Sequence, residues 1–141
     1  QLNPDIYIMA RASSPGVGKK LLVAGANKVE SPYDTGAVSM GLKLLRPTVS
    51  SFLDVALSRK SDAIQIEELF IPKKSRYTQL ALKDSGIRQN FNLIIIAIKK
   101  SSGEMIFAPH FETLLEARDT LILMGKTEDL QAFGKALNPD E

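Results

Sequence analysis

The chain has 141 residues, no cysteine, one histidine, and a formal net charge of +2 from 18 basic and 16 acidic residues. The lack of cysteine excludes a disulfide scaffold and thiol chemistry and makes the cytosol the natural compartment. The near balance of charge, with basic pairs scattered at Lys19-Lys20, Lys73-Lys74 and Lys99-Lys100 and read as solvated surface pairs, gives no electrostatic case for a nucleic-acid partner.

Residues 6–10 form an apolar run (Ile6-Tyr7-Ile8-Met9-Ala10) of the kind expected for a strand buried on both faces of a parallel sheet. Ser14 then suits a helix N-cap and Pro15 the first helical position, with Val17, Leu21 and Ala24 on one face. Gly25 is placed to end that helix in a left-handed conformation. Lys28, Val29, Glu30 and Ser31 read as a second strand, stopped by Pro32. This β-α-β unit is too small to cover both faces of a parallel sheet, so the chain is expected to start partway through a domain.

Asp34 is a candidate cap for a helix carrying Val38, Leu42 and Leu45. Pro47 interrupts it, because proline lacks an amide and disfavours helix at Arg46. Val49, Phe52, Leu53, Ala56 and Leu57 then follow helical spacing. The stripe Leu42, Leu45, Val49, Phe52, Leu53 reads equally as internal packing or as a homodimer interface, since exposed apolar stripes usually mark partners. Arg59-Lys60-Ser61-Asp62 is a polar connector and the best candidate boundary.

Beyond it the chain is β-rich. Residues 64–71 read as a strand ending at Pro72. Thr78 is a candidate start for a short helix through Leu80 and Leu82, ending near Gly86. Residues 93–100 form the strongest strand, returning through a turn at 101–104 into Met105-Ile106-Phe107 as a hairpin. Its apolar core, residues 93–98, is far short of the roughly 20 residues of a membrane helix. Residues 120–124 give a last strand. Thr127 is a candidate cap for a final helix with Leu130, Phe133 and Leu137 as its buried stripe.

Chemistry for catalysis is hard to place. No GxSxG elbow, HExxH pair or GxGxxG fingerprint occurs, and Gly16-Val17-Gly18-Lys19 lacks phosphate-loop spacing. His110, after a proline, reads as a partly buried structural histidine. Glu67 and Glu68 are adjacent carboxylates that alternation sends to opposite faces of a strand. Arg88 is a surface guanidinium whose rigid fork also suits a phosphate.

Three segments together carry a family resemblance: residues 3–12 followed by Ala24-Gly25-Ala26 to Tyr33, then Ile95-Ile96-Ala97-Ile98-Lys99, then Asp119-Thr120-Leu121-Ile122-Leu123-Met124-Gly125. Over nearly the whole chain and in this order, they resemble Trk-type and RCK proteins, regulators of potassium conductance. The resemblance implies an α/β chain in three parts. Residues 1–33 would be the second half of a Rossmann-like nucleotide-binding domain. Residues 34–60 would be a kinked helical crossover that pairs subunits. Residues 61–141 would be a small α+β ligand-binding subdomain. It implies no enzymatic activity, and it shifts the stripe Leu42, Leu45, Val49, Phe52, Leu53 toward a homodimer interface within a ring at the cytoplasmic face of a membrane pore.

By the same resemblance, Ala10, Arg11 and Ala12 lie where family members approach NAD or an adenine nucleotide, though the glycines and ribose acid of that site have no counterpart here. In relatives that bind cyclic di-AMP the matching positions are Leu82, Ile87, Arg88, Ile94 and Pro109, with His110 and Phe111 departing from the usual pattern. In calcium-gated relatives the nearest match is Glu68 with Glu67. The implied function is a gating-ring domain of a ligand-gated potassium channel. The alternatives are a soluble regulatory subunit of a Trk/Ktr-type transporter and, from another class, a fragment of an NAD-dependent oxidoreductase.

Overall fold

The computed structural model describes residues 3, 5–58 and 64–138; the polar connector at 59–62 lies outside the described residues. The chain divides into two compact units, Gln1–Phe52 and Leu53–Glu141.

In the first unit, β1 (Met9–Arg11) and β2 (Lys28–Glu30) pair in parallel, with Met9 opposite Lys28 and Arg11 opposite Glu30. Helix α1 (Pro15–Val23) connects them. Ser14 holds the N-cap position with extended backbone, but its side chain makes no capping bond. The helix ends as Gly25 predicts: Gly25 has φ +104°, its N–H donates to Leu22 O (3.1 Å), and the Ala26 N–H reaches back to Leu21 O (3.0 Å). That pair of bonds satisfies carbonyls a helix otherwise leaves open. The apolar run before β1 is not buried. Ile6, Tyr7, Ile8 and Met9 are all exposed, because a two-stranded parallel sheet flanked by a single connecting helix has too few layers to cover them.

Helix α2 (Pro32–Leu45) starts two residues before Asp34. Proline's fixed φ suits the first helical position, and Ser31 caps it by accepting from the Asp34 N–H (3.4 Å). Asp34 itself sits inside the first turn, where its charge complements the helix dipole. The break falls where Pro47 requires it. Arg46 leaves helical geometry (φ −142°, ψ 63°), and α3 runs Pro47–Ala56.

The second unit is a four-stranded antiparallel sheet in the order β3 (Gln65–Phe70), β6 (Thr120–Gly125), β4 (Ile94–Lys99), β5 (Met105–Phe107). β4 and β5 form the expected hairpin, Ala97 facing Phe107, with Gly103 at φ +94° in the turn. α4 (Ile87–Phe91) and α5 (Thr127–Leu137) complete the unit. The stripe Leu130, Phe133, Leu137 is buried and joins Ile71, Tyr77, Ile98, Leu121 and Leu123 in one core. Tyr77 and Phe91 both place their rings 5.2 Å from that of Phe133.

Two local expectations fail here. Thr78 starts no helix. Residues 79–82 instead pair with the segment at 113–115, through Gln79 N to Leu115 O (2.7 Å), Leu115 N to Leu80 O (2.9 Å) and Leu82 N to Thr113 O (3.0 Å). Only a 3-10 turn at Leu82–Asp84 follows, and Gly86 (φ +67°) then opens α4. Thr127 is not the cap of α5 either. Lys126 holds that position, and the Thr127 hydroxyl is buried without a hydrogen-bond partner.

Gly125, at the end of β6, is required by packing. A Cβ there would overlap Leu93 Cδ2, and Leu93 is itself fully buried. Gly125→Ala is expected to lower stability by about 1–3 kcal/mol. The check is a urea melt with an unchanged slope and a lower midpoint.

Candidate functional site

Leu82, Ile87, Arg88, Ile94 and Pro109 come from four different segments, and the structure brings all five around one cleft of about 260 Å³. The 3-10 turn supplies Leu82, α4 supplies Ile87 and Arg88, β4 supplies Ile94, and the chain after β5 supplies Pro109. Lys83, Ser85, Gln89, Leu93, Ile95 and Phe111 complete the wall.

Local chemistry fixes these elements. The Ser85 hydroxyl donates to Leu82 O (2.7 Å), tying down the turn. Gly86 must be glycine, because its φ is +67° and a Cβ there would lie 2.6 Å from the Asn90 side-chain amide. Asn92, also left-handed at φ 53°, turns the chain from α4 into β4. The positive φ of Ala108 (44°) bends the chain after β5 toward Pro109.

The cleft joins an apolar floor to cationic walls. Arg88 is exposed, and among the described residues no ion pair engages it. Lys83 Nζ lies 5.8 Å from the centre of the Phe111 ring and 3.9 Å from Glu112 Oε1. A flat apolar body with an anionic group suits such a setting, since a guanidinium fork donates to two phosphate oxygens at once. A second cleft of about 240 Å³ shares Arg88, Leu93 and Ile94 and adds Asn92 and Lys126.

His110 is not buried. Its side chain is 66% exposed, its ring centre lies 4.1 Å from that of Phe111, and Nδ1 is 3.8 Å from Glu112 Oε2. The bend after Pro109 carries it out of the sheet into solvent.

Glu67 and Glu68 are not brought together. Glu67 lies on the face that packs toward α5, with Gln65 and Leu69, while Glu68 is exposed. Among the described residues no three carboxylate, histidine or cysteine side chains gather as a metal site.

In the first unit, Ala10 is half-buried, Arg11 is exposed, and Ala12 is buried, its N–H bonded to Glu30 O at 2.8 Å. On α2 and α3, Leu45 is 83% exposed, Val49 and Phe52 are exposed, and Leu42 and Leu53 are half-covered. Val38 and Leu44 extend the open apolar surface on α2.

One ionic network went unread in the sequence. Asp119 is fully buried; its Oδ2 accepts from Lys100 Nζ (2.7 Å) and from the Glu116 N–H (2.9 Å). Lys100 Nζ also meets Glu116 Oε2 (2.9 Å) and Leu114 O (3.3 Å). Lys100 is therefore not a solvated member of a surface pair: its side chain is 15% exposed. The available signal was an aspartate placed directly before an apolar strand, three residues after a glutamate.

Residues 66–138 match the TrkA-C domain family. Two proteins of Methanocaldococcus jannaschii are similar over almost the whole chain. "Probable potassium channel protein 2" is 32% identical over 135 residues, 93% of this chain and 39% of that protein. "Potassium channel protein 1" is 30% identical over 131 residues, 93% of this chain and 38% of that protein. The chain thus spans about two fifths of the length of these relatives. Among solved structures, the RCK C domain of the potassium transport protein KtrA, in complex with cyclic diadenosine monophosphate, is 31% identical with a TM-score of 0.51. It covers 63% of this chain and 95% of its own.

Proposed function

The chain belongs to the TrkA-C domain family, and from that premise we propose that it is the cytosolic gating-ring part of a ligand-gated potassium channel. The observation that carries this reading is the match of two proteins named as potassium channel proteins over 93% of the chain. In this reading residues 1–33 are the closing half of a Rossmann-like nucleotide-binding domain, 34–60 the crossover that pairs subunits, and 61–141 the effector-binding subdomain. The exposed apolar side chains of α2 and α3 support the crossover role, because Leu45, Val49 and Phe52 need a partner to leave water.

The effector is an adenine nucleotide held in the cleft of Leu82, Ile87, Arg88, Ile94 and Pro109, with Arg88 on its phosphate. The ligand of the KtrA domain, an adenine dinucleotide, supports this choice. An effector of this kind works by population shift: it binds one ring geometry better than the other, by no more than its differential affinity. The KtrA likeness also favours a second reading, in which the chain regulates a potassium transporter from a separate subunit.

Potassium or rubidium flux into proteoliposomes holding the full-length protein tests the proposal. The expected result is a flux that changes with added adenine nucleotide and is altered in an Arg88→Ala variant. Flux indifferent to every nucleotide, or hydride transfer to NAD by the full-length protein, would overturn it.

A further inference from the structure

A further cleft, with no lining residue from α4, lies between β3 and α5. It holds about 450 Å³ and is lined by Gln65, Glu67 and Leu69 from the strand and by Leu130, Gln131 and Gly134 from the helix. A Cβ at Gly134 would find only Leu69 Cδ2 within reach, at 3.9 Å. The glycine therefore leaves open a part of the groove that the helix would otherwise fill.

Among the described residues β3 is also an edge of the sheet, paired on one side only, with β6. Just past its end, the Ile71 N–H donates to Asp119 O and Ile71 O accepts from the Arg118 N–H, both at 2.8 Å. Backbone alternation then turns the N–H and C=O groups of Ile66, Glu68 and Phe70 outward. A row of free backbone groups beside a groove is the setting in which an extended peptide adds as a further strand and drops alternate side chains into the groove.

The charges on the strand select the occupant. Glu67 faces the groove and Glu68 the other side, and among the described residues neither has an ion-pair partner. A second copy of β3 paired antiparallel must set outward-bonding residues opposite one another, so a register centred on the strand places Glu68 opposite Glu68, or Glu67 opposite Glu67, of its mate, and like charges directly opposite repel. A strand with two adjacent basic residues meets both carboxylates at once, one on each face.

We propose that the β3 edge and the β3–α5 groove form a docking site for an extended segment of another protein carrying consecutive lysines or arginines. An apolar side chain of that segment sits against Leu69 and Leu130. This site is separate from the effector cleft and does not depend on it.

The test titrates the 141-residue chain with a capped hexapeptide, two central lysines flanked by valine and threonine, and follows amide resonances by NMR. Shifts confined to residues 65–70 and to Gln131 and Gly134 are expected, with no response to the same peptide carrying two glutamates. The Glu67→Gln, Glu68→Gln double variant should weaken binding about three- to tenfold, as expected for two exposed ion pairs. Absence of shifts, equal response to the acidic peptide, or unchanged affinity in the double variant would overturn the proposal. So would concentration-dependent shifts of β3 without peptide, which would make the occupant a second copy of this chain.

Discussion

Phe133→Ala is expected to cost about 3–5 kcal/mol of folding stability in the second unit. Phe133 is fully buried on α5, edge-on to Tyr77 at 75° and tilted against Phe91 at 58°. Truncation removes its transfer free energy, leaves a cavity that Ile71, Leu121 and Leu123 cannot close without moving β-sheet backbone, and breaks two aromatic contacts. A domain has about 5–15 kcal/mol to lose, so the variant should melt far below the parent. Hydrogen exchange at the β6 amides checks it directly: they should lose protection by several orders of magnitude. A loss below about 1 kcal/mol would mean that α5 is not the lid of this core.

Lys100→Met is expected to cost a similar amount, about 3–5 kcal/mol, for a different reason. The Asp119 carboxylate is shut away from water, and its Oδ1 has no hydrogen-bond partner. Removing Lys100 leaves that charge buried and uncompensated. Adding Asp119→Asn to Lys100→Met keeps an oxygen toward the Glu116 N–H and removes the charge, so the pair should recover much of the loss.

The same network sets a pH dependence. Burial, the largest single influence, pulls the Lys100 pKa down, but the hydrogen bonds to Asp119 and Glu116 and their charges outweigh it, and the ammonium titrates above its ordinary 10.5. The folded state therefore holds this proton more tightly than the unfolded chain. Its contribution is complete below pH 10.5 and is lost as pH rises from there through the folded value. Urea midpoints measured across that alkaline range should fall for the parent and fall less for Lys100→Met.

Punctuation made much of this fold legible in the sequence. Pro47 broke the helical pair, Gly25 ended α1, Pro72 closed β3, and the 3.6-residue spacing of Leu130, Phe133 and Leu137 gave the face of α5 that is buried. What escaped depends on contacts distant in sequence. Residues 79–82 have ordinary helix formers, but their backbone bonds go to 113–115, which no local pattern reports. Burial of Lys100 follows from Asp119, 19 residues away. The run at 6–10 has the composition of an inner strand, yet burial depends on neighbouring layers that composition cannot supply. At Ser31 the cap is legible only when Pro32 counts as a helix start rather than a strand stop, which places Asp34 inside the first turn. The cleft residues came from family resemblance, and the antiparallel sheet explains their convergence: α4 and the chain after β5 both lie beside β4.

The most direct test of the central claim is isothermal titration of cyclic di-AMP, ADP, ATP and NAD into this chain and into its Arg88→Ala variant. The account predicts saturable binding of at least one adenine nucleotide to the parent, weakened tenfold or more in the variant, as about 1.4 kcal/mol or more for a lost charge-assisted hydrogen bond requires. Binding of none of them, or equal binding by the variant, would contradict it.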